Sequence, residues 1–411
     1  MTILRTVGLA VLAVALCGCV TAVPSNVSST SDSRSSAPSV GSPPPAVEPW
    51  IDVGLGQPAA VLTAPSLEPG YLCHPCHFLA ENQLFGVGSS ASGFVAVGVQ
   101  EPPSQAVAFS STDGRSWGPL AGFAGASGTA AVAVASTDST TVIVGHDTTG
   151  ATSWASNGGP WKQAPRQDAL IVPYEAGAMT SVTAVTGGFV AGGYRDDPLH
   201  ARASAAVWRS ADGLAWRRED TQPIFEGGRI WGIAAAPNGT IVAVGTNGDP
   251  NYGPAAAWRW TRSGGWQRGS LGVDSTGAMR AVTETATGFI AVGLNGTDNG
   301  ARVWRSPDGL AWTAVPDQPA FHYFDLPVRM QSIAAGPAGL VAGGWRSDAG
   351  KGSAVAWTSA DGITWAGPIW EPAFSGGQID GVAASGDTTV AVGRTGYPDW
   401  NTATIWRASG P

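Results

Sequence analysis

Short, wholly apolar runs ending in glycine recur along this chain. Each is followed, across a polar gap, by a second apolar run that closes on a tight turn and a tryptophan. Gly288 opens GFIAVG, and ARVWRSPDGLAW ends at Trp312. Gly188 opens GFVAGG and its partner closes at Trp216, Gly339 opens a copy closing at Trp365, and Gly93 opens one closing at Trp117. Looser copies end at Trp161 and Trp266, and a seventh begins at Thr389 and stops after ATIWRAS. Apolar runs of this length read as strands buried on both faces. The Asp-Gly steps read as hairpin turns. Amphipathic runs long enough for a helical solenoid are missing from the pattern.

The closing tryptophans lie 44, 55, 50, 46 and 53 residues apart. Recurrence of short strands every 40–50 residues or so marks a propeller built from blades. In the fifth copy the four strands are read as Met279 to Thr285 (a), Phe289 to Gly293 (b), Ala301 to Ser306 (c) and Ala311 to Val315 (d). The expected fold is all-β, a seven-bladed β-propeller with four-stranded blades. The seventh copy has no fourth strand, and an open sheet edge is a liability. An N-terminal strand must therefore close the last blade. Ala59 to Thr63 is the first choice for it and Trp50 to Val53 the second.

Composition narrows the function. Net charge is -8, only 13% of residues are charged, and lysine occurs only at Lys162 and Lys351, so nucleic acid is excluded as the expected partner. Abundant glycine fits repeated hairpins, and 18 tryptophans fit packing between sheets. Residues 1–18 read as an export signal: Arg5 precedes an apolar core, Val7 to Leu16, too short to span a membrane. The sequence Leu16-Cys17-Gly18-Cys19 resembles a bacterial lipobox, which implies a lipid on Cys19. Ordinary secretion is the alternative. Residues 19–49 are Ser- and Pro-rich, read as a disordered tether, and residues 50–411 form the propeller. The expected location is the outer face of the bacterial cytoplasmic membrane or the cell envelope, with the protein lipid-anchored and monomeric.

Cys73-His74-Pro75-Cys76-His77 admits three readings. A disulfide between Cys73 and Cys76 suits an oxidising compartment. The Cys-x-x-Cys-His spacing also matches c-type haem attachment at Cys73, Cys76 and His77. A metal could use both thiols and both imidazoles, although four ligands on one short loop would strain a tetrahedral site. The expectation is a disulfide, with no cofactor and no metal.

The turn sequence Ser-x-Asp-Gly-x-x-Trp occurs at Ser111 to Trp117, Ser210 to Trp216, Ser306 to Trp312 and Ser359 to Trp365. It resembles a shortened form of the Asp-box repeat of bacterial neuraminidases and related propellers, whose pattern has one more residue between aspartate and glycine. The resemblance covers nearly all of residues 82–411. It implies that the box lies on the c–d hairpin, opposite any active site. Asp113, Asp212, Asp308 and Asp361 are then structural acceptors for turn N–H groups, and Trp117, Trp216, Trp312 and Trp365 fill the space between blades.

With short a–b and c–d turns on one face, the b–c and d–a loops share the other, and function concentrates on such loops. Matching positions near the start of strand a carry Thr180, Trp231, Arg280, Gln331 and Asp380. The ligand-binding candidates are Trp231, Arg280, Gln331, Tyr323, Trp345 and Trp400. The neuraminidase resemblance implies a second possibility, an exo-glycoside hydrolase. Arg229, Arg280 and Arg329 would hold a carboxylate there, with Tyr323 and Asp325 or Asp380 as chemical groups, although Arg229 and Arg329 are offset from Arg280 by two residues. The residues do not assemble a complete acid/base set. The expectation is therefore a non-catalytic binding or scaffolding propeller whose ligand is a glycan or an envelope protein.

Overall fold

A computed structural model describes residues 50–52 and 83–409, except 102–103, 172–175, 198–201, 250–252, 297–298, 349–350 and 397–401. The expectations for Cys19, the tether, Cys73, Cys76, His77 and Trp400 concern residues outside that set.

The apolar runs form strand b of each blade because both their faces are covered by neighbouring sheets. Val142, Ile143 and Val144 in one blade, and Val242, Ala243 and Val244 in another, have no exposed surface. Around each such strand the chain builds one four-stranded antiparallel sheet, giving seven in all. Blade 1 is Gln83–Ser90, Gly93–Gln100, Gln105–Ser111 and Gly118–Pro119; blade 2 is Ala130–Ser136, Thr141–Asp147, Gly150–Ser156 and Lys162–Gln163. Blade 3 is Ala176–Val185, Gly188–Asp197, Arg202–Ser210 and Trp216–Arg218; blade 4 is Gly228–Ala235, Ile241–Asn247, Ala255–Thr261 and Gly265–Arg268. Blade 5 is Ala278–Thr285, Gly288–Leu294, Ala301–Ser306 and Thr313–Ala314; blade 6 is Val328–Gly336, Gly339–Asp348, Lys351–Ser359 and Ala366–Ile369. Blade 7 is Gln378–Ser385, Thr388–Thr395 and Thr402–Ser409, completed by Ile51–Asp52. Each strand a packs against that of the next blade, and blade 7 packs against blade 1. The protein is a seven-bladed β-propeller.

The closing strand is Ile51–Asp52, paired with Arg407 and Trp406, and not Ala59 to Thr63. The reason is Trp50. It is 4% exposed and packs on Phe374 with ring centroids 5.7 Å apart, an aromatic anchor of a kind that the sequence AAVLT, outside the described residues, does not contain. Strand d of blade 5 is also shorter than expected. Ala311 donates its N–H to Asp308 in the turn, and Ala311 and Trp312 are bridged to Ser270 of the blade 4–blade 5 linker rather than to the neighbouring strand of the blade. The b–c connections are not uniformly long: in blade 2, Asp147 pairs with Gly150 across two residues.

The four Ser-x-Asp-Gly hairpins share one hydrogen-bond pattern. In blade 3, Ser210 Oγ accepts from Gly213 N–H at 2.8 Å, and Asp212 Oδ1 accepts from Leu214 and Ala215 N–H, both at 2.9 Å. Gly213 is at φ 76°, and a Cβ there would lie 2.3 Å from Val142 of blade 2, so glycine is required twice over. Trp216 is 5% exposed and donates its indole N–H to the Gly213 carbonyl at 3.0 Å.

A second set of tryptophans, on strand c, is buried still more deeply. Trp208, Trp258, Trp357 and Trp406 have no exposed surface and donate to carbonyls of the preceding d–a linkers at 2.7–2.8 Å. Three of those linkers form 3-10 turns, Pro223–Phe225, Pro319–Phe321 and Pro372–Phe374, each burying its phenylalanine beneath the tryptophan. Buried indoles need such acceptors.

Candidate functional site

Every strand a carries a one-residue bulge at the same place. The register slips between Leu84 and Gly86, Ala131 and Ala133, Met179 and Ser181, Ile230 and Gly232, Met279 and Ala281, Met330 and Ser332, and Ile379 and Gly381. The extra residues are Phe85, Val132, Thr180, Trp231, Arg280, Gln331 and Asp380. All seven are half-buried. The cause lies across the ladder, in the glycine that ends each apolar run. A Cβ on Gly245 would come 1.8 Å from the Arg229 carbonyl, and one on Gly293 would come 1.9 Å from that of Ala278. Only glycine admits this approach. A bulge re-aims its extra side chain and is common beside binding sites. Here it makes a ring of seven dissimilar side chains on the innermost strands, toward the face opposite the Ser-x-Asp-Gly hairpins.

Around this ring the predicted residues divide into three groups. In the first, the Arg229 guanidinium lies over Tyr194 at 4.9 Å and that of Arg280 over Trp231 at 5.3 Å, while the two aromatic rings are 5.8 Å apart. This continuous stack runs across blades 3, 4 and 5. Trp231 also donates to Thr246 Oγ1 at 3.3 Å.

The second group spans blades 6, 7 and 1. Arg329 pairs across the strands with Trp345, its guanidinium 4.9 Å from that ring, and reaches Gln378 Oε1 at 3.5 Å. Asp380 accepts from Gln83 Nε2 at 2.8 Å and from Gln378 Nε2 at 2.5 Å, and Arg394 donates to Gln83 Oε1 at 2.9 Å. Burial pushes the Asp380 carboxyl above the usual carboxylate range. Arg394, both glutamine amides and Arg329 pull it back only in part.

The third group is Tyr323 with Arg346, which lies 4.0 Å over the tyrosine ring and 5.6 Å from that of Trp370. Arg329 and Tyr323 thus make these contacts with residues other than the Arg229–Arg280 pair. Gln331 occupies the blade 6 bulge. Sequence reasoning overlooked Gln83, Gln378, Arg394 and Trp370. The residue after each bulge glycine was a usable signal, because Tyr194, Trp345 and Arg394 all occupy that place.

Ring and bulges define the class: a seven-bladed propeller with a diversified mouth. No family model and no curated protein matches the chain. Among solved structures it is similar to a Trypanosoma rangeli sialidase in complex with sialic acid, at 12% identity and TM-score 0.45, covering 80% of this chain and 54% of the sialidase. The WD40 propeller domain of Doa1 is similar at 14% identity and TM-score 0.49, over 80% of this chain and 94% of that one. A Penicillium chrysogenum α-L-arabinanase complexed with arabinobiose is similar at 14% identity and TM-score 0.39, over 79% and 93%. The chain spans about half the length of the sialidase. At such similarity a likeness extends to the fold alone, and the seven blades stand on this chain's own strand pairing.

Proposed function

We propose that this propeller is a non-catalytic binding or scaffolding module of the bacterial cell envelope, exported and held by a lipid on Cys19. Its ligand is a glycan or an envelope protein, met on the bulge-ring face. Cys73 and Cys76 form a disulfide or stay as neighbouring thiols, without haem. The observation that carries the binding reading is Asp380. Both oxygens of this ring carboxyl accept glutamine amides within the blade 7–blade 1 seam. A glycosidase acid/base must instead reach the scissile bond. Stacked arginines and aromatics suit recognition, since both residue types dominate binding hot spots.

A neuraminidase-like exo-glycoside hydrolase is the second reading. Its support is the pairing of Arg229 and Arg280 on one aromatic stack, which brings two cations to neighbouring blades. A fluorogenic sialoside and a general glycoside panel separate the two readings. The binding reading expects no turnover. Turnover that disappears in a folded Arg280→Ala variant overturns it. A glycan array and an envelope pull-down then identify the ligand.

A further inference from the structure

Beside the Ser-x-Asp-Gly hairpins, the seams between blades share one row of side chains. In blade 4, Val242, Arg259 and Gln267 are cross-strand partners on strands b, c and d, so they point to the same side, toward blade 5. Gln267 Oε1 accepts from Arg259 Nη2 at 2.6 Å, and Arg259 Nη1 reaches Asp308 Oδ2 of the blade 5 hairpin at 3.5 Å. Arg209 holds the same place in blade 3, pairs with Glu219 at 2.8 Å and lies over Trp260 of blade 4 at 4.6 Å. Arg407 of blade 7 donates to the Asp113 carbonyl of blade 1 at 3.3 Å. These three arginines cap the seams that they face.

Arg305 is the fourth of the row and departs from it. It is the cross-strand partner of Ile290 and Thr313, so all three point toward blade 6. Thr313 stands where blade 4 has Gln267, and a threonine is too short to aim the guanidinium across the seam. Arg305 and Thr313 are both exposed, and among the described residues neither side chain has a hydrogen bond or an ion pair. The Asp361 carboxylate accepts instead from Ile363 and Thr364 N–H, at 2.8 and 2.7 Å, and from the Ser359 hydroxyl at 3.2 Å.

The uncapped seam is a cleft of about 720 Å³. Phe289, Ile290, Leu340 and Ile363 supply its apolar surface, and Ile363 is 40% exposed there. Arg305 and Thr313 stand together on the blade 5 wall. The fold thus leaves a cation and a hydroxyl beside an apolar hollow without using either in its own packing. Two adjacent donors of this kind match a carboxylate.

We propose that the blade 5–blade 6 cleft is a peptide-binding site for a short extended segment of a partner protein, one in which an acidic side chain lies beside apolar ones. The carboxylate meets Arg305 and Thr313, and the apolar side chains cover Ile363 and Leu340. Ligand sites commonly measure about 300–1,000 Å³, and this cleft falls inside that range. A peptide suits it better than an alkyl carboxylate does, because Thr285 and Thr287 interrupt the apolar lining. Peptide amides can meet those hydroxyls, whereas a hydrocarbon chain would strip their water and return nothing. The site lies on the face opposite the bulge ring, so it stands whether or not the mouth binds a glycan.

Fluorescence polarisation of the full chain with two labelled, end-capped hexapeptide pools tests this. One pool fixes aspartate at a central position among Leu, Ile, Val and Phe; the other is identical with asparagine there. The wild type should bind the acidic pool roughly fivefold more tightly, the scale of one exposed ion pair. Arg305→Gln should bind both pools alike, and Ile363→Ser should weaken both, with denaturant midpoints unchanged. Thr313→Val, which should narrow the preference, serves if Arg305→Gln disturbs folding. Arg280→Ala, at the mouth, should leave both affinities as they are. A wild type that binds neither pool, or both equally, overturns the proposal. So does a preference that survives in folded Arg305→Gln, or binding lost in Arg280→Ala. Sodium decanoate that binds through Arg305 while neither pool does overturns the peptide assignment in favour of an alkyl carboxylate.

Discussion

Gln83 and Asp380 are 297 residues apart in the chain and 2.8 Å apart in the fold, the amide of the first strand a donating to the carboxyl of the last. With Gln378, Arg394 and Arg329 they tie blades 6, 7 and 1 together at the point where the ring closes. The short outer strand Ile51–Asp52 closes the same blade from outside.

Asp380 should make the seam sensitive to pH. Its folded-state value is raised from 3.8 by burial. Its contribution to stability is therefore fully present below pH 3.8 and is lost as pH rises through the folded-state value. Urea unfolding of wild type and Asp380→Asn from about pH 3 to about pH 8 checks the sign. The wild type should lose ground to the variant as pH rises. Asp380→Ala, which leaves two buried amides without their acceptor, should cost about 1–3 kcal/mol.

The hairpin aspartates should behave in the opposite sense. For Asp212, Asp308 and Asp361 burial pushes upward, but turn N–H groups and a serine hydroxyl outweigh it; for Asp113 the N–H of Ser116 is the leading influence. All four are held below 3.8, so their contribution is present above that pH and disappears as pH falls through the lower folded-state values. Asp212→Asn should lower stability by roughly 1 kcal/mol near neutrality, given its exposure. The difference from wild type should vanish in acid.

Two glutamines act as clamps between blades. Gln167 Nε2 donates to the Leu214 carbonyl at 2.7 Å while its Oε1 accepts from Trp216 N–H at 2.8 Å; Gln318 does the same for Ile363 and Trp365 at 2.6 and 3.0 Å. At blade 5 the backbone of Ser270 takes this role, donating to Leu310 and accepting from Trp312. Gln167→Ala and Gln318→Ala should each cost about 1–2 kcal/mol. Ser270→Ala should be nearly silent, because its backbone is unchanged. Denaturant midpoints of the three variants are the measurement.

Cys19 should carry the membrane anchor. Mass spectrometry of the mature N-terminus is expected to find a diacylated or triacylated Cys19, and Cys19→Ser should release the protein from membranes. An unmodified N-terminus beyond residue 19 would defeat the lipoprotein reading.

Much of this architecture was legible because a propeller repeats its local chemistry. The apolar run ending in glycine, the Ser-x-Asp-Gly turn and the closing tryptophan each act within one blade or against the next, so a linear sequence displays them seven, four and six times respectively. Blade number, strand order and the need for an N-terminal closing strand follow from that recurrence. The sequence also marked five of the seven bulge positions, since their divergence stands out against conserved neighbours in the repeat. It could not say which N-terminal segment closes the ring, because that depends on Trp50 meeting Phe374 across a blade junction. Nor could it say that Arg229 and Arg280 stack on Tyr194 and Trp231 while Arg329 turns to Trp345 and Gln378. Those contacts form between side chains of different blades, or across a bulged ladder whose register alternation alone does not give. Repetition determines what each blade is; the packing of unlike side chains at the closed ring decides what the mouth presents.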